Sequence, residues 1–149
     1  GILMGEQVYW EDVSEGMAMP PLVKHPTTRQ LVQYAGSSGD FYEIHYDKDF
    51  AQGTGLDGVI IHGALKNAYL GQFMTTWMGP LGVLKRLTCQ YRGMDPPGSP
   101  ISAKGSVTKK YEQDGQHLVD CEIWLENQEA QKTTPGSATV ALPSRAPRV

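Results

Sequence analysis

The sequence predicts an α+β fold in which an antiparallel sheet curls around one long helix. Residues 64–78 have helical periodicity and are apolar around most of the helix circumference, so this helix has to be buried. The segments that follow it alternate apolar and polar side chains, as strands do. Because 149 residues provide one domain with an adequate core, those strands are what buries the helix. We expect a single domain over residues 1–149, with 1–6 disordered or foreign to the native chain and 143–149 as a tail.

One strand and two short helices are expected before the long helix. Residues 7–13 mix aromatic and β-branched side chains and predict the first strand, and the pair Pro20-Pro21 then excludes regular structure locally. Residues 27–30 fit a capping box that starts a helix ending before Gly39. Residues 47–51 predict one further helical turn, capped by the aspartate at its start.

Several strands are expected after the long helix. They span residues 84–91, 101–111, 117–126 and 134–143. Residues 93–100 predict a loop between the first two, and Asp114-Gly115 predicts a hairpin turn between the second and third. The third strand alternates most clearly, with an apolar face of Val119, Cys121, Ile123 and Leu125 and a polar face of Asp120, Glu122 and Glu126.

Composition and charge argue against several classes of protein. The formal net charge is −3 and the basic residues are scattered, so a nucleic-acid-binding stripe is not expected. No apolar run approaches the roughly 18 residues that span a bilayer, and the N-terminus has no secretory pattern, so we expect a cytoplasmic protein. Cys89 and Cys121 are expected to be reduced and buried, and His25 and His117 to be solvated. The histidines and cysteines show no metal-ligand spacing, so no metal site is expected.

Acid and base chemistry is concentrated between residues 34 and 51. Asp40 directly follows Ser37-Ser38-Gly39, a run of small residues that lets the backbone turn sharply. His45 comes five residues later, and an imidazole exchanges protons readily near neutral pH. Two such groups on a short loop can hold one water molecule from two sides, which indicates hydration or hydrolysis. The alternative is that Asp40 only forms a turn or caps a helix.

A second feature lies where residues 58–63 lead into the long helix. Gly63 is expected to open that helix, so its N–H would have no intrahelical partner and could donate to an anionic oxygen. His62 is expected to be structural, its ring bonding the backbone near the helix start, with a second catalytic imidazole as the alternative. Three aromatic side chains of the long helix are expected to pack in the core, which is usual at this spacing, and they could also line an acyl pocket. They are Tyr69, Phe73 and Trp77.

The segment around Asp40 resembles the MaoC-like, or hydratase 2, branch of the hot-dog fold. The signature of that family is Gly-Asp, a short gap that usually holds Asn-Pro, an aliphatic residue, His, five residues and a small residue. The residues that match in register are Gly39, Asp40, Ile44, His45 and Ala51. Tyr42-Glu43 replaces the Asn-Pro of the family. The likeness continues through the helix start at Gly63 to residues 138–143, so it covers nearly the whole chain.

This resemblance implies reversible addition of water to a trans-2-enoyl thioester, giving the (3R)-hydroxyacyl product. Asp40 and His45 would hold the water as acid and base, in an order that stays open. The N–H of Gly63 would bind the thioester oxygen. Candidate supporting residues are Ser38, Tyr42 and His62. The resemblance implies no metal or redox cofactor, and CoA or acyl carrier protein would be the handle of the substrate.

The resemblance also implies assembly, since proteins of this family are dimers and some are heterodimers with a catalytically silent partner. A curved sheet on one helix leaves strand edges open, and pairing with a second copy or a homologue covers them. Two alternatives to a hydratase stay open. The first is a hot-dog acyl thioesterase, against which His45 at the hydratase spacing argues. The second is a non-catalytic subunit of a heteromeric hydratase, which the presence of both Asp40 and His45 disfavours.

Overall fold

A computed structural model describes residues 6–38, 47–53 and 58–145, with the backbone alone for 34–38 and 50. A turn of 3-10 helix, Trp10–Asp12, comes first. The helices are α1 (Thr28–Ser38), α2 (Lys48–Gly53) and α3 (Gly63–Met78). The strands are β1 (Ala18–Lys24), β2 (Val83–Cys89), β3 (Ile101–Gln113), β4 (Gln116–Glu126) and β5 (Lys132–Ala141).

A five-stranded sheet wraps around α3. The strand order is β1-β3-β4-β5-β2, and every neighbouring pair is antiparallel. Helix α3 contacts all five strands, and its side chains Leu70, Phe73 and Met74 are at most 2% exposed. This is the hot-dog arrangement, so the α+β fold expected from the sequence is confirmed.

The long helix is confirmed at nearly the predicted bounds. It begins at Gly63 and ends at Met78, where Gly79 takes a positive φ of 76° that an L side chain rarely adopts. Its buried side chains are Leu65, Lys66, Tyr69, Leu70, Phe73, Met74, Trp77 and Met78. Ala68, which belongs to the same apolar pattern, is exposed because the sheet covers only part of the helix circumference.

The alternation predicted for β4 is confirmed on its apolar face, where all four side chains are at most 1% exposed. Glu126, expected on the polar face, is instead buried. Its carboxylate forms an ion pair with Lys104 and accepts a hydrogen bond from Trp124 Nε1 at 3.2 Å. The hydrogen bond from Lys104 holds the pKa of this carboxyl below its usual value. Burial of Glu126 is tolerated because its charge is paired.

The first strand expected at residues 7–13 is wrong. Residues Trp10–Asp12 form a 3-10 turn, in which the carboxylate at position 12 accepts a hydrogen bond from Tyr9 N at 3.2 Å. Trp10 Nε1 donates to Leu118 O at 3.2 Å, and Trp10 N donates to Pro143 O at 2.9 Å. A carboxylate that reaches back to a nearby backbone N–H favours a turn over a strand.

The first strand is β1, and it contains Pro20-Pro21, the pair that the sequence predicts to exclude regular structure. That expectation is therefore wrong as well. Strand β1 lies at an edge of the sheet and pairs with β3 alone among the described strands. Its register shifts between Met19 and Leu22, across the two prolines. Proline has no N–H to donate to a ladder, so an irregular edge strand is where a sheet accommodates it.

Both short helices begin where the sequence places them. Gln30 N donates to Thr27 Oγ1 at 3.1 Å, which is one half of the capping box. The side-chain oxygen of Gln30 accepts a hydrogen bond from the Tyr69 hydroxyl at 3.3 Å, so it ties α1 to α3. Helix α2 starts after Asp47, whose carbonyl accepts from Ala51 N at 3.0 Å.

The predicted hairpin turn is confirmed, since Asp114 and Gly115 have φ values of 52° and 75°. His25 is exposed as expected, but His117 is not simply solvated. Its ring packs edge-on against Trp10, with ring centres 4.9 Å apart. Cys89 and Cys121 are both free thiols, although only Cys121 is fully buried. Among the described helices, none has the length and apolar character needed to cross a membrane.

Candidate active site

The start of α3 presents backbone amides that have no carbonyl partner within the helix. His62 has φ −57° and ψ 137°, so the chain is extended until it enters the helix at Gly63. The first intrahelical hydrogen bond runs from Lys66 N to His62 O, at 3.0 Å. The N–H of Gly63 therefore lies in the first turn, at the positive end of the helix dipole. Such an amide can stabilise negative charge on a nearby oxygen.

A cavity of about 310 Å³ lies beside this helix start. It is lined by Ile60, Ile61, Gly63, Lys66, Tyr91, Arg92, Gly93 and Met94. The helix start forms one wall, and the chain that leaves β2 forms the other. The Gly63 amide thus belongs to a residue at the surface of a cleft, which the proposed oxyanion role requires.

The glycine at position 63 faces an aromatic ring. A Cβ at this position would lie 3.2 Å from two carbon atoms of the Tyr91 ring, which is closer than ordinary van der Waals contact. Tyr91 is 53% exposed, so its ring closes one side of the cleft without being packed into the core. Glycine is therefore the residue that fits between the helix start and the tyrosine with the ring in this position.

A buried ion pair, which no sequence pattern predicted, lies at the cavity, whose lining includes its lysine. Lys66 Nζ donates to Asp95 Oδ2 at 2.9 Å and to Gly93 O at 3.0 Å. The two charged side chains are 3% and 4% exposed. Asp95 Oδ2 also accepts a hydrogen bond from Thr133 Oγ1 at 2.7 Å, which ties the pair to β5. One signal was present in the sequence, because Lys66 falls on the apolar face of a helix that has to be buried.

His62 is fully buried at the start of α3, and it is not among the described residues that line the cavity beside Gly63. Its carbonyl oxygen, which accepts from Lys66 N, takes part in the helix start. Whether its ring supports catalysis, as one of the two predicted roles, stays a prediction.

The three aromatic side chains proposed as core or acyl pocket all belong to the hydrophobic core. Tyr69, Phe73 and Trp77 are between 2% and 4% exposed. The Tyr69 hydroxyl bonds Gln30 at 3.3 Å, and burial raises the pKa of this phenol. Packing against the sheet is thus their structural role, and a contribution to an acyl pocket stays a prediction.

The predicted acid and base lie outside the described residues, as does the candidate supporting residue Tyr42; for Ser38 the backbone alone is described. The described chain brackets this segment closely. Helix α1 ends at Ser38, directly before Gly39 and Asp40, and α2 begins at Lys48, three residues after His45. The helix that the sequence predicts before Gly39 is therefore confirmed, whereas the turn at Gly39 lies outside the described residues. Within the described ranges, no group of three His, Cys, Asp or Glu side chains is arranged to hold a metal ion.

Comparison with known proteins places this arrangement in a family. The family model described as MaoC like domain matches residues 14–129, a range that includes positions 40, 45 and 63. An (R)-specific enoyl-CoA hydratase from Rhodospirillum rubrum is 27% identical over 101 residues, which cover 67% of this chain and 69% of the relative.

Several solved structures share the fold. R-hydratase PhaJ1 from Pseudomonas aeruginosa superposes with a TM-score of 0.82 at 20% identity, over 96% of each chain. A MaoC-like dehydratase from Rhodospirillum rubrum gives a TM-score of 0.82 at 17% identity, over 94% of this chain and 99% of that one. A chain of the ChsH1-ChsH2 complex from Mycobacterium tuberculosis gives 0.75 at 19% identity, over 87% and 98%.

Proposed function

Because the chain belongs to the MaoC-like family, we propose that it is an (R)-specific hydratase of trans-2-enoyl thioesters. The product is the (3R)-hydroxyacyl thioester, and the reverse dehydration uses the same site. The handle of the substrate is CoA or acyl carrier protein, and the reaction uses no metal or redox cofactor. The observation that carries this proposal is the Gly63 amide, which opens a buried helix at the wall of a cleft.

The proposed chemistry needs three groups of this chain. Asp40 and His45 hold one water molecule, and one of them takes a proton from it as its oxygen bonds to C3. The electron pair of the C2–C3 double bond moves towards the thioester oxygen, which the Gly63 N–H stabilises. The negative charge then moves back from the thioester oxygen as C2 takes a proton from the other catalytic residue. One O–H bond of water and the π bond between C2 and C3 are broken, and one C–O and one C–H bond are formed. A proton that passes from the residue that accepted one to the residue that donated one restores both catalytic groups.

Two further observations support this assignment. The relative that is 27% identical is itself an (R)-specific enoyl-CoA hydratase, and its match extends over two thirds of each chain. The sequence also keeps both an acid and an imidazole at positions 40 and 45, directly after the helix that leads to them. A carboxyl and an imidazole differ in intrinsic pKa, as a paired acid and base require.

A direct assay follows the reaction with crotonyl-CoA. We expect the enoyl absorbance to fall without release of free thiol, and the product to be the (3R) enantiomer by chiral chromatography. Release of thiol would identify the protein as a thioesterase instead. A (3S) product would contradict the proposed placement of water.

Separate Asp40→Asn and His45→Gln variants test the two catalytic groups. Each should lower kcat by about 10²- to 10⁴-fold, the usual contribution of a general acid or base. Full activity in both variants, assayed with any partner subunit present, would show that this chain is a catalytically silent subunit. Far-ultraviolet circular dichroism controls for loss of fold.

We also propose that a second copy, or a homologous subunit, pairs along the outer edge of β2. In the described sheet this strand has one neighbour, β5, and its other edge is open. Val83, the first residue of the strand, is 53% exposed, and Leu81 in the turn before it is 61% exposed. The opposite edge is protected, since β1 carries Pro20-Pro21 and a register shift.

Sedimentation equilibrium tests this assembly. We expect a dimer, and we expect Val83→Lys to shift the population towards monomer, because it places a charge at the open edge. Val23, which is 47% exposed on β1, provides the matched control at the other edge. Equal shifts for Val83→Lys and Val23→Lys would contradict pairing along β2.

A further inference from the structure

The Lys66–Asp95 pair takes no part in the proposed hydration, and fold stability alone is a poor reason for it. Taking two charges out of water is costly, and apolar side chains of similar volume often serve stability as well or better. Lys66 lies on the buried side of α3, beside Leu65 and three residues before Tyr69, and is itself 3% exposed. The pair is therefore better explained by a role in fixing the positions of neighbouring residues.

Together with its neighbours, the pair fixes one segment of backbone at several points. Lys66 Nζ donates to Gly93 O at 3.0 Å, and Asp95 O accepts from Ile61 N at 2.7 Å, just before α3. Thr133 bonds the Asp95 carboxylate through its hydroxyl, and its carbonyl accepts from Gly93 N at 3.0 Å. Residues 91–95 therefore cannot shift relative to the first turn of α3 without breaking these bonds.

Tyr91 is the residue that this segment presents to Gly63. More than half of its surface is exposed, so core packing does not determine where its ring lies. The Lys66 ammonium lies 5.7 Å from the centre of the ring, within the range of a favourable cation–π contact. The segment to which the ring is attached and the lysine beneath it therefore both contribute to its position.

We propose that Lys66 and Asp95 are positioning residues that hold Tyr91 over Gly63. They thereby set the width of the cleft in which the thioester oxygen meets the Gly63 amide. The catalytic consequence rests on the proposed hydratase function, whereas the position of the ring rests on the contacts alone. Lys66 acts through its contacts with Gly93 O and the Tyr91 ring, although part of its side chain also lines the cavity.

The double variant Lys66→Met/Asp95→Leu removes both charges and leaves no buried ion without a partner. Incorporation of 3-fluorotyrosine gives a fluorine NMR spectrum in which Tyr91→Phe assigns the Tyr91 line. We expect that line to move towards the position of free fluorotyrosine in the double variant. We expect kcat for crotonyl-CoA to fall about 10- to 100-fold with KM nearly unchanged, because a misplacement of about 1 Å costs this much.

A matched control removes an ion pair elsewhere in the sheet. Lys104 pairs with Glu126 between β3 and β4, and neither residue lines the cavity beside Gly63. Lys104→Met/Glu126→Leu should leave both the Tyr91 line and kcat as they are in the unmodified protein. Thr133→Val, which removes one bond to Asp95 at similar volume, should change both in the same direction as the double variant but by less. Thr133→Val replaces the double variant as the test if the double variant does not fold.

The two readouts separate this inference from the proposed function. An unchanged Tyr91 line in the Lys66 and Asp95 variants would overturn the positioning role, whatever the activity. A moved line with unchanged kcat would overturn its catalytic relevance. If the unmodified protein hydrates no enoyl thioester, the proposed function fails, and the fluorine spectrum alone decides whether the pair holds the ring.

Discussion

Replacing Gly63 by proline would remove the amide hydrogen on which the proposed site depends while leaving the helix able to form. Gly63 is the first residue of α3, a position at which proline is well tolerated because the N–H has no intrahelical partner. His62 already has φ −57° and ψ 137°, the extended conformation that favours a following proline. The backbone conformation is therefore compatible with proline at position 63.

Gly63→Ala is the matched control, because it keeps the amide hydrogen. Both variants introduce a Cβ that would lie 3.2 Å from the Tyr91 ring, so both require a similar small shift of that ring. The ring is half-exposed and can yield. The amide hydrogen is then the main difference between the two variants.

An amide donor to a developing oxyanion is typically worth about 3 to 4 kcal/mol. We therefore expect kcat of Gly63→Pro to lie about 10²- to 10³-fold below that of Gly63→Ala. Initial rates at saturating crotonyl-CoA measure the difference, and urea unfolding should show free energies within about 1 kcal/mol of each other. Equal kcat values in the two folded variants would refute the role of this amide.

Three further outcomes are expected for stability. Lys66→Met alone should lower the free energy of unfolding by about 3 to 5 kcal/mol, because it leaves the Asp95 carboxylate buried without its cation, whereas the double variant with Asp95→Leu should lie within about 1 kcal/mol of the unmodified protein. Similar small decreases in the free energy of unfolding in the single and the double variant would mean that the ion pair is solvated. Gly71→Ala, in the middle of α3 with open space around its Cβ, should raise the free energy of unfolding by about 0.5 to 1 kcal/mol, and a decrease would contradict this. Burial raises the pKa of the Cys121 thiol to about 12 from its ordinary value of 9.0. Below about pH 9 the thiol is protonated in both the folded and the unfolded chain, and as the pH rises towards 12 only the unfolded chain ionises, so stability should fall by at most about 1.4 kcal/mol per pH unit. Urea unfolding of Cys121→Ala should show a smaller slope, because Tyr69, whose pKa burial also raises, still contributes. An equal slope in both proteins would contradict the assignment to Cys121.

Regular patterns made most of the fold accessible from the sequence. Strand β4 alternates without interruption, and residues 64–78 are apolar on nearly every side, so each pattern has one physical solution. The pattern at residues 7–13 does not distinguish a strand from the 3-10 turn at Trp10–Asp12, because aromatic residues suit both a strand and a turn that packs on the sheet. A local pattern predicts no strand at Pro20-Pro21, because a sheet tolerates proline at its edge and strand order is not contained in a local pattern.

Only part of the candidate site could be predicted from the sequence, because some of its contacts join residues that are far apart along the chain. The role of Gly63 can be predicted from a local pattern, because this glycine directly precedes the apolar helical segment. The ion pair joins Lys66 to Asp95 across 29 positions, and Asp95 looks like an ordinary residue of a proline-rich loop. Tyr91 reaches Gly63 only because β2 passes beside α3. Contacts of this kind depend on the tertiary fold.

A crystal structure of the Asp40→Asn variant with a bound enoyl thioester would settle how the three proposed groups meet the substrate. We expect the thioester oxygen about 3 Å from Gly63 N, and one water molecule that contacts both position 40 and His45 beside C3. A thioester oxygen bound away from the start of α3, or two side chains that share no water, would contradict the hydratase proposed here.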